Sequence, residues 1–277
     1  MRILKITVIA LAVLVALSSV WLHINARGKE DAPVIKCAED DVIEATVSIT
    51  DEELLKLVTA TDKQDGDITS KIVVSRKNFF VSPKTTAVTY SVCDSDNNVT
   101  TLTRKLIFSD YHPPRIILTN DFIFPSGRVF NLGDYVVAED VIDGNITSNI
   151  KLISSEYTSA QGEYIVNLKV SNSMADSTEL NISAIVTNDD YSTLRIRLNE
   201  YIKYIAPNTE VDYRTFLSAI INKTSAKYDL DDVVVDSSEV DVSKPGVYNV
   251  YYRLFEGRGE NATVVSMSRL VVVVEEA

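Results

Sequence analysis

The chain has 277 residues, room for one large domain or several small ones. Lys plus Arg number 27 against 39 Asp plus Glu, a formal net charge of −12, which excludes a nucleic acid or an anionic membrane surface as the main partner. One Trp, two His and two Cys exclude a His-rich or Cys-rich metal protein and a disulfide scaffold.

The first element is a membrane signal. Residues 6–22 read ITVIALAVLVALSSVWL without a charge, behind Arg2 and Lys5. The apolar run from Ile3 to Ile24 is broken only by Lys5. At about 1.5 Å per residue it spans a hydrocarbon core of about 30 Å. Trp21 sits where an interfacial aromatic belongs. Two readings stay open for residues 1–29. One is an uncleaved transmembrane helix over 3–24, oriented by Arg2 and Lys5 with its N-terminus in the cytoplasm. The other is a cleaved signal peptide using the small residues Ala16 and Ser18. In both, the rest of the chain is expected outside the cytoplasm, anchored at the cell surface or secreted.

The rest of the chain repeats. ATDKQDGDITSKIVV (60–74) returns as AEDVIDGNITSNIKL (138–152), with Asp65-Gly66 matching Asp143-Gly144 and Ile68-Thr69-Ser70 matching Ile146-Thr147-Ser148. TAVTYSVCDSDNN (86–98) lies opposite EYIVNLKVSNS (163–173). A third copy is blurred: GVYNVYYRL (246–254) matches GEYIVNLKV (162–170), but YDLDDVVV (228–235) replaces the Asp-Gly turn.

Each copy alternates with period two, the sign of strands with one buried face. The apolar positions are Val88, Tyr90 and Val92; Tyr164, Val166, Leu168 and Val170; and Tyr248, Val250, Tyr252 and Leu254. Turn clusters such as DKQDGD, DSDNN and SKPG separate the runs. Helical signals are brief: Thr50-Asp51-Glu52-Glu53 opens a capped turn, and Tyr213 to Ile221 reads as a second. Short strands at this spacing, in units of about 80 residues, predict an all-β chain of tandem β-sandwiches following an N-terminal transmembrane helix. His112-Pro113-Pro114 and Thr187-Asn188-Asp189-Asp190 mark the boundaries, giving repeats at 33–112, 113–189 and 190–277.

Copy one carries Ala60, Asp62, Asp65, Gly66, Asp67, Ile68 and Thr69, then Val88, Tyr90, Val92, Asp94 and Asn98, and closes at Asp110. Pro33-Val34-Ile35 and Pro114-Arg115-Ile116 open copies one and two. This pattern resembles the bacterial immunoglobulin-like repeats of cell-surface and secreted proteins, a cadherin-like or hyalin-repeat-like group. Copy two departs where Asn172-Ser173 replaces the acidic turn, and copy three matches only in its late strands. The resemblance implies a sandwich fold, a surface location and a spacer or adhesion role, with no reaction.

Asp62, Asp65, Asp67, Asp94 and Asp96 are hard oxygen ligands at loop ends, a pattern suited to calcium. Their other reading is as turn formers, and no other cofactor is expected. Cys37 and Cys93 are either one bridge in an oxidising compartment or two separate thiols. Copy three holds most of the 13 tyrosines. Tyr251, with parity opposite to Tyr252, is expected to face out, where it would serve an accessory site for a carbohydrate or wall polymer or a surface protein. Strand packing is the alternative. Outside the apolar segment His112 is the only histidine, so no Ser-His-Asp site can form, and every Asp cluster falls on a turn.

Overall fold

The computed structural model describes residues 13–19, 32–37, 42–127, 131–157, 162–188, 193–223, 225–257 and 259–276, with the side chains of Pro125 and Glu260 excepted. Residues 13–19 are helical and exposed. The remainder of the expected membrane segment 3–24 lies outside the described residues. Among the described residues no helix is long and apolar enough to cross a membrane. The rest of the structure is built on β-strands and divides into two compact units, Met1–Tyr111 and His112–Ala277.

In the first unit, β1 (Val34–Cys37), β3 (Val58–Asp62) and β4 (Gly66–Asp67) form a three-stranded sheet in the order β1-β3-β4. The second sheet is four-stranded, in the order β2 (Val42–Ala45), β7 (Val99–Phe108), β6 (Thr85–Cys93), β5 (Val73–Lys77). Strand β6 explains the core. Its alternation buries Val88, Tyr90 and Val92 between the sheets, opposite Ile35, Val58 and Ala60. It pairs with β7 along its whole length, from Thr85↔Ile107 to Cys93↔Val99. Helix α1 (Asp51–Leu55) starts at a capping box: the Thr50 hydroxyl accepts from the Glu53 N–H, and the Glu53 carboxylate accepts from the Thr50 N–H. Those bonds lower the Glu53 pKa. Leu54 is wholly buried, and the Tyr90 hydroxyl donates to its carbonyl at 3.2 Å. The core tyrosine thus ties the helix to the large sheet.

The second unit repeats the large-sheet order twice, beside a three-stranded small sheet in its first half and a two-stranded one in its second. β8 (Arg115–Leu118), β10 (Val136–Asp140) and β11 (Gly144–Asn145) form one small sheet. β12 (Lys151–Tyr157), β13 (Glu163–Ser171), β14 (Ser177–Thr187) and β9 (Ile123–Pro125) form the large sheet beside it. Next, β15 (Leu194–Leu198) pairs with β17 (Leu217–Asn222), and β16 (Ile202–Ile205), β20 (Thr263–Val274), β19 (Gly246–Glu256) and β18 (Val234–Asp236) form a second large sheet. In all three large sheets a short early strand lies parallel to the last strand: β2 on β7, β9 on β14, β16 on β20.

The expected helical turn over 213–221 is shorter than the pattern suggested. A 3₁₀ turn holds Tyr213–Phe216, and Leu217 to Asn222 run on as β17, because the β-branched Ile220 and Ile221 fit a strand against β15. The apolar residues from Ile116 to Val274 form one continuous core, so the stretches 113–189 and 190–277 are packed together. The Tyr204 hydroxyl stitches β16 to β8, accepting from the Ile116 N–H at 3.1 Å and donating to the Ile116 carbonyl at 2.9 Å. Burial raises its pKa to about 12. Arg115 lies over the Tyr204 ring and pairs with Glu275 at 2.7 Å.

Candidate functional site

The acidic residues of copy one stand at two turns. At the first, Asp62 Oδ1 accepts from the N–H groups of Gln64 and Asp65 at 2.7 and 2.8 Å, and Asp67 Oδ1 accepts from the Thr69 N–H at 2.9 Å. Gly66 holds a φ of 73°, the left-handed conformation this turn needs. At the second, Asp94 Oδ1 accepts from the N–H groups of Asp96 and Asn98 at 2.9 and 2.8 Å, while Oδ2 accepts from the Asn98 amide at 2.8 Å. Asp65 joins the two turns: its carboxylate accepts from the Ser95 N–H at 2.8 Å and hydroxyl at 2.6 Å, and pairs with Lys71 at 3.1 Å. These donors lower the pKa of Asp62 (chiefly the Asp65 N–H), of Asp65 (chiefly the Ser95 hydroxyl) and of Asp67 (chiefly the Thr69 hydroxyl).

Copy two tests what the charge is for. Asp140 caps the N–H groups of Ile142 and Asp143, and Asp143 accepts from the Ser173 N–H and hydroxyl, as Asp62 and Asp65 do with their partners. In place of Asp94 stands Asn172. Its Oδ1 caps Met174 and Asp176 at 3.0 Å each, and its amide donates to Asp140 Oδ2 at 3.1 Å. A neutral amide therefore closes the same turn. Among the described residues no group of three His, Cys, Asp or Glu side chains is arranged to hold a metal ion. The calcium reading of Asp62, Asp65, Asp67, Asp94 and Asp96 finds no support in this geometry. Asp96 is exposed, Lys71 already neutralises Asp65, and Asp62, Asp67 and Asp94 each turn one carboxylate oxygen onto backbone donors, while Asp62 Oδ2 is buried without a hydrogen-bond partner.

Of the two readings left open for Cys37 and Cys93, the structure shows the separate thiols: both are free. Cys37 ends β1 of the small sheet and its thiol donates to the Leu57 carbonyl at 3.2 Å. Cys93 ends β6 of the large sheet, one residue after the buried Val92, so the pleat aims it outward into solvent. A bridge would require Cys93 to change face.

For Tyr251 the outward parity holds, and the geometry follows the strand-packing alternative. The residue lies on the outer face of β19, opposite in parity to Tyr252, but that face is covered. Tyr251 is half-buried, Arg253 stacks on its ring at 4.6 Å, and Arg269 lies beside it. Burial raises its pKa. Arg269 is 1% exposed and donates to the Ser183 carbonyl of β14. Around it, buried Asp121 accepts from the Ser268 hydroxyl, and Arg195 lies 3.6 Å from Asp121 and donates to Asn120. Burial raises the Asp121 pKa, against the pull of Ser268 and Arg195, and lowers that of Arg269. The cluster joins copies two and three through polar groups drawn out of water. It is a packing interface between the two copies.

Two clefts open on the second unit. One, of about 480 Å³, is lined by charged groups, Arg115, Glu139, Glu200 and Lys203 among them. Of these, Arg115 is held by Glu275 and Lys203 by Glu200 at 3.2 Å. The other, of about 650 Å³, lies at the end of the β9–β14–β13–β12 sheet and is lined by Ser126, Tyr157, Gly162, Tyr164, Val186, Thr187 and Asn188. The alternation pattern missed Tyr157, because β12 is an edge strand exposed along its whole length and shows no buried face.

No family model matches the chain. Over 212 residues it is 29% identical to the pesticidal crystal protein Cry22Aa of Bacillus thuringiensis, an alignment covering 73% of this chain and 28% of that protein. Over 107 residues it is 27% identical to a cysteine–tRNA ligase of Mycoplasmopsis pulmonis, covering 39% of this chain and 18% of the ligase. The chain thus spans less than a third of either curated relative. Among solved structures, it is similar to the M60 catalytic domain with the CBM51-1 and CBM51-2 domains of Clostridium perfringens ZmpB, at 13% identity and a TM-score of 0.22 over 88% of this chain and 31% of that one. It is also similar to mouse cadherin-23 EC22-24, at 12% identity and a TM-score of 0.20 over 90% and 100% of the two chains. Superpositions this loose carry no argument about function.

Proposed function

We propose that this chain is a non-catalytic surface protein of the bacterial immunoglobulin-like kind, held at the membrane by residues 3–24, whose three sandwiches serve as spacer and adhesion modules outside the cytoplasm. The observation that carries the reading is the recurrence of one large-sheet order in three successive stretches, each closed by a short strand parallel to the last one. The use of the Asp62–Asp67 and Asp140–Asp143 carboxylates to cap turns agrees with it, since it spends the acidic groups on structure. An alignment to under a third of Cry22Aa fits a module that larger proteins also carry.

Protease added to intact cells tests the location. The sandwiches should be degraded from outside while the chain fractionates with membranes. A soluble mature form lacking residues 1–29 would replace the anchor with a cleaved signal. Sandwiches protected inside intact cells would overturn the reading.

A further inference from the structure

The second cleft combines three features. Its first is an exposed aromatic floor. Tyr157 of β12 is directly opposite Tyr164 of β13 in the ladder, their rings 5.0 Å apart and inclined at 59°. Tyr157 is 62% exposed, a large ring left in water.

The second feature is rigidity. Gly162, with a φ of 77°, receives the Val186 N–H on its carbonyl at 2.8 Å. A Cβ at this position would stand 2.3 Å from the Val186 oxygen, so only glycine allows β13 to begin this close to β14. On the other side the Ser126 N–H donates to the Thr187 carbonyl at 2.7 Å, fixing the end of β9. The walls are therefore tied by backbone bonds before any ligand arrives.

The third feature is charge. Among the described lining residues none is charged: hydroxyls come from Ser126, Thr187 and the two tyrosines, and an amide from Asn188. A phosphate or carboxylate ligand is held most strongly by a guanidinium or ammonium group, and a hard cation is usually held through carboxylates. A neutral polyol requires neither. Its C–H face packs on an aromatic ring, and its hydroxyls exchange hydrogen bonds with hydroxyl and amide groups. The volume of about 650 Å³ lies in the usual range for small-ligand pockets, about 300–1,000 Å³.

We propose that this cleft binds a neutral hexose unit of a polysaccharide, with Tyr157 as the stacking platform and Ser126, Thr187 and Asn188 as the polar contacts. The assignment rests on the adhesion reading above and names its ligand class; it moves the sugar site from Tyr251 of copy three to Tyr157 of copy two.

Affinity electrophoresis of the full chain tests it, in gels carrying hydroxyethylcellulose, galactomannan or starch, with polygalacturonate as the anionic comparison. At least one neutral polymer should retard the chain, and polygalacturonate should not. Tyr157→Ala should weaken retardation at least tenfold with an unchanged far-UV spectrum, and Tyr157→Phe, which keeps the ring, should retain it. Retardation by none of the neutral polymers, or equal retardation of wild type and Tyr157→Ala, overturns the site and leaves the surface-module reading standing. Release of reducing ends from a retarding polymer overturns the non-catalytic reading instead.

Discussion

The Tyr252 hydroxyl donates to the Tyr213 carbonyl at 2.7 Å, as the Tyr90 hydroxyl does to the Leu54 carbonyl. Each core tyrosine holds the one-turn element that precedes its large sheet's main hairpin. Copy two puts Leu168 at the matching place in β13 and makes no such tie. Tyr252→Phe removes one hydrogen bond and leaves the ring in place. It should cost about 1 kcal/mol, a fall in melting midpoint of roughly 2–4 °C. Calorimetry of the variant against wild type checks this, and an unchanged midpoint would show that the bond adds nothing net.

Arg269 should be the costliest single loss in the second unit. Arg269→Ala takes one of the two neighbouring guanidinium groups from buried Asp121, leaving Arg195 alone, and opens a void between β20 and β14. Breaking a buried charge cluster from one side typically costs about 3–5 kcal/mol. Chemical denaturation should show this loss, and a change below about 1 kcal/mol would mean that water reaches the cluster freely.

Acid should weaken the turns. Asp65 has a folded pKa below its ordinary value, set first by the Ser95 hydroxyl. Asp241 is lowered to about 2, first by the Ser243 hydroxyl and then by Lys244. A depressed folded pKa means that the unfolded chain takes up protons first. The stabilisation is therefore complete well above the unfolded value of about 3.9 and fades as pH falls through the folded one. The melting midpoint should drop between about pH 5 and pH 2. Ser95→Ala should flatten part of that slope, and an identical slope in the variant would remove Asp65 from the account.

The two thiols should behave differently from each other. Cys93 is exposed and should react with a thiol reagent at the rate of a free thiol, whereas Cys37, half-buried on the Leu57 carbonyl, should react at least tenfold more slowly. Reductant should leave the melting midpoint unchanged. A reductant-sensitive midpoint would restore the bridge.

Strands with one wet face are legible in the order of the amino acids. Val88, Tyr90 and Val92 announce β6 by alternation alone, and Val250, Tyr252 and Leu254 announce β19. Alternation reports which side of a sheet a residue occupies and is silent on what lies against that side. Tyr251 shows the limit: its parity is outward, yet the Arg269–Ser183 contact brings copy two over it. Asp spacing has the same ambiguity, because a turn-capping aspartate and a metal-ligating one occupy the same loop ends. Only the donors around Asp62, Asp94 and Asn172 separate the two. Tyr157 is hidden for the opposite reason, since an edge strand exposed on both faces has no period to read.

The parallel closing strands set an order of events for a chain made from its N-terminus. Strand β2 finds its partner only when Val42 meets Lys105 and Ala45 meets Phe108, far along the same copy. Strand β16 must wait until Val271–Val274 emerge. Each large sheet therefore gains its parallel closing pair only when its last strand arrives. Domains generally fold as units during synthesis, N-terminal first, so the first unit can be complete before the strands of the second emerge.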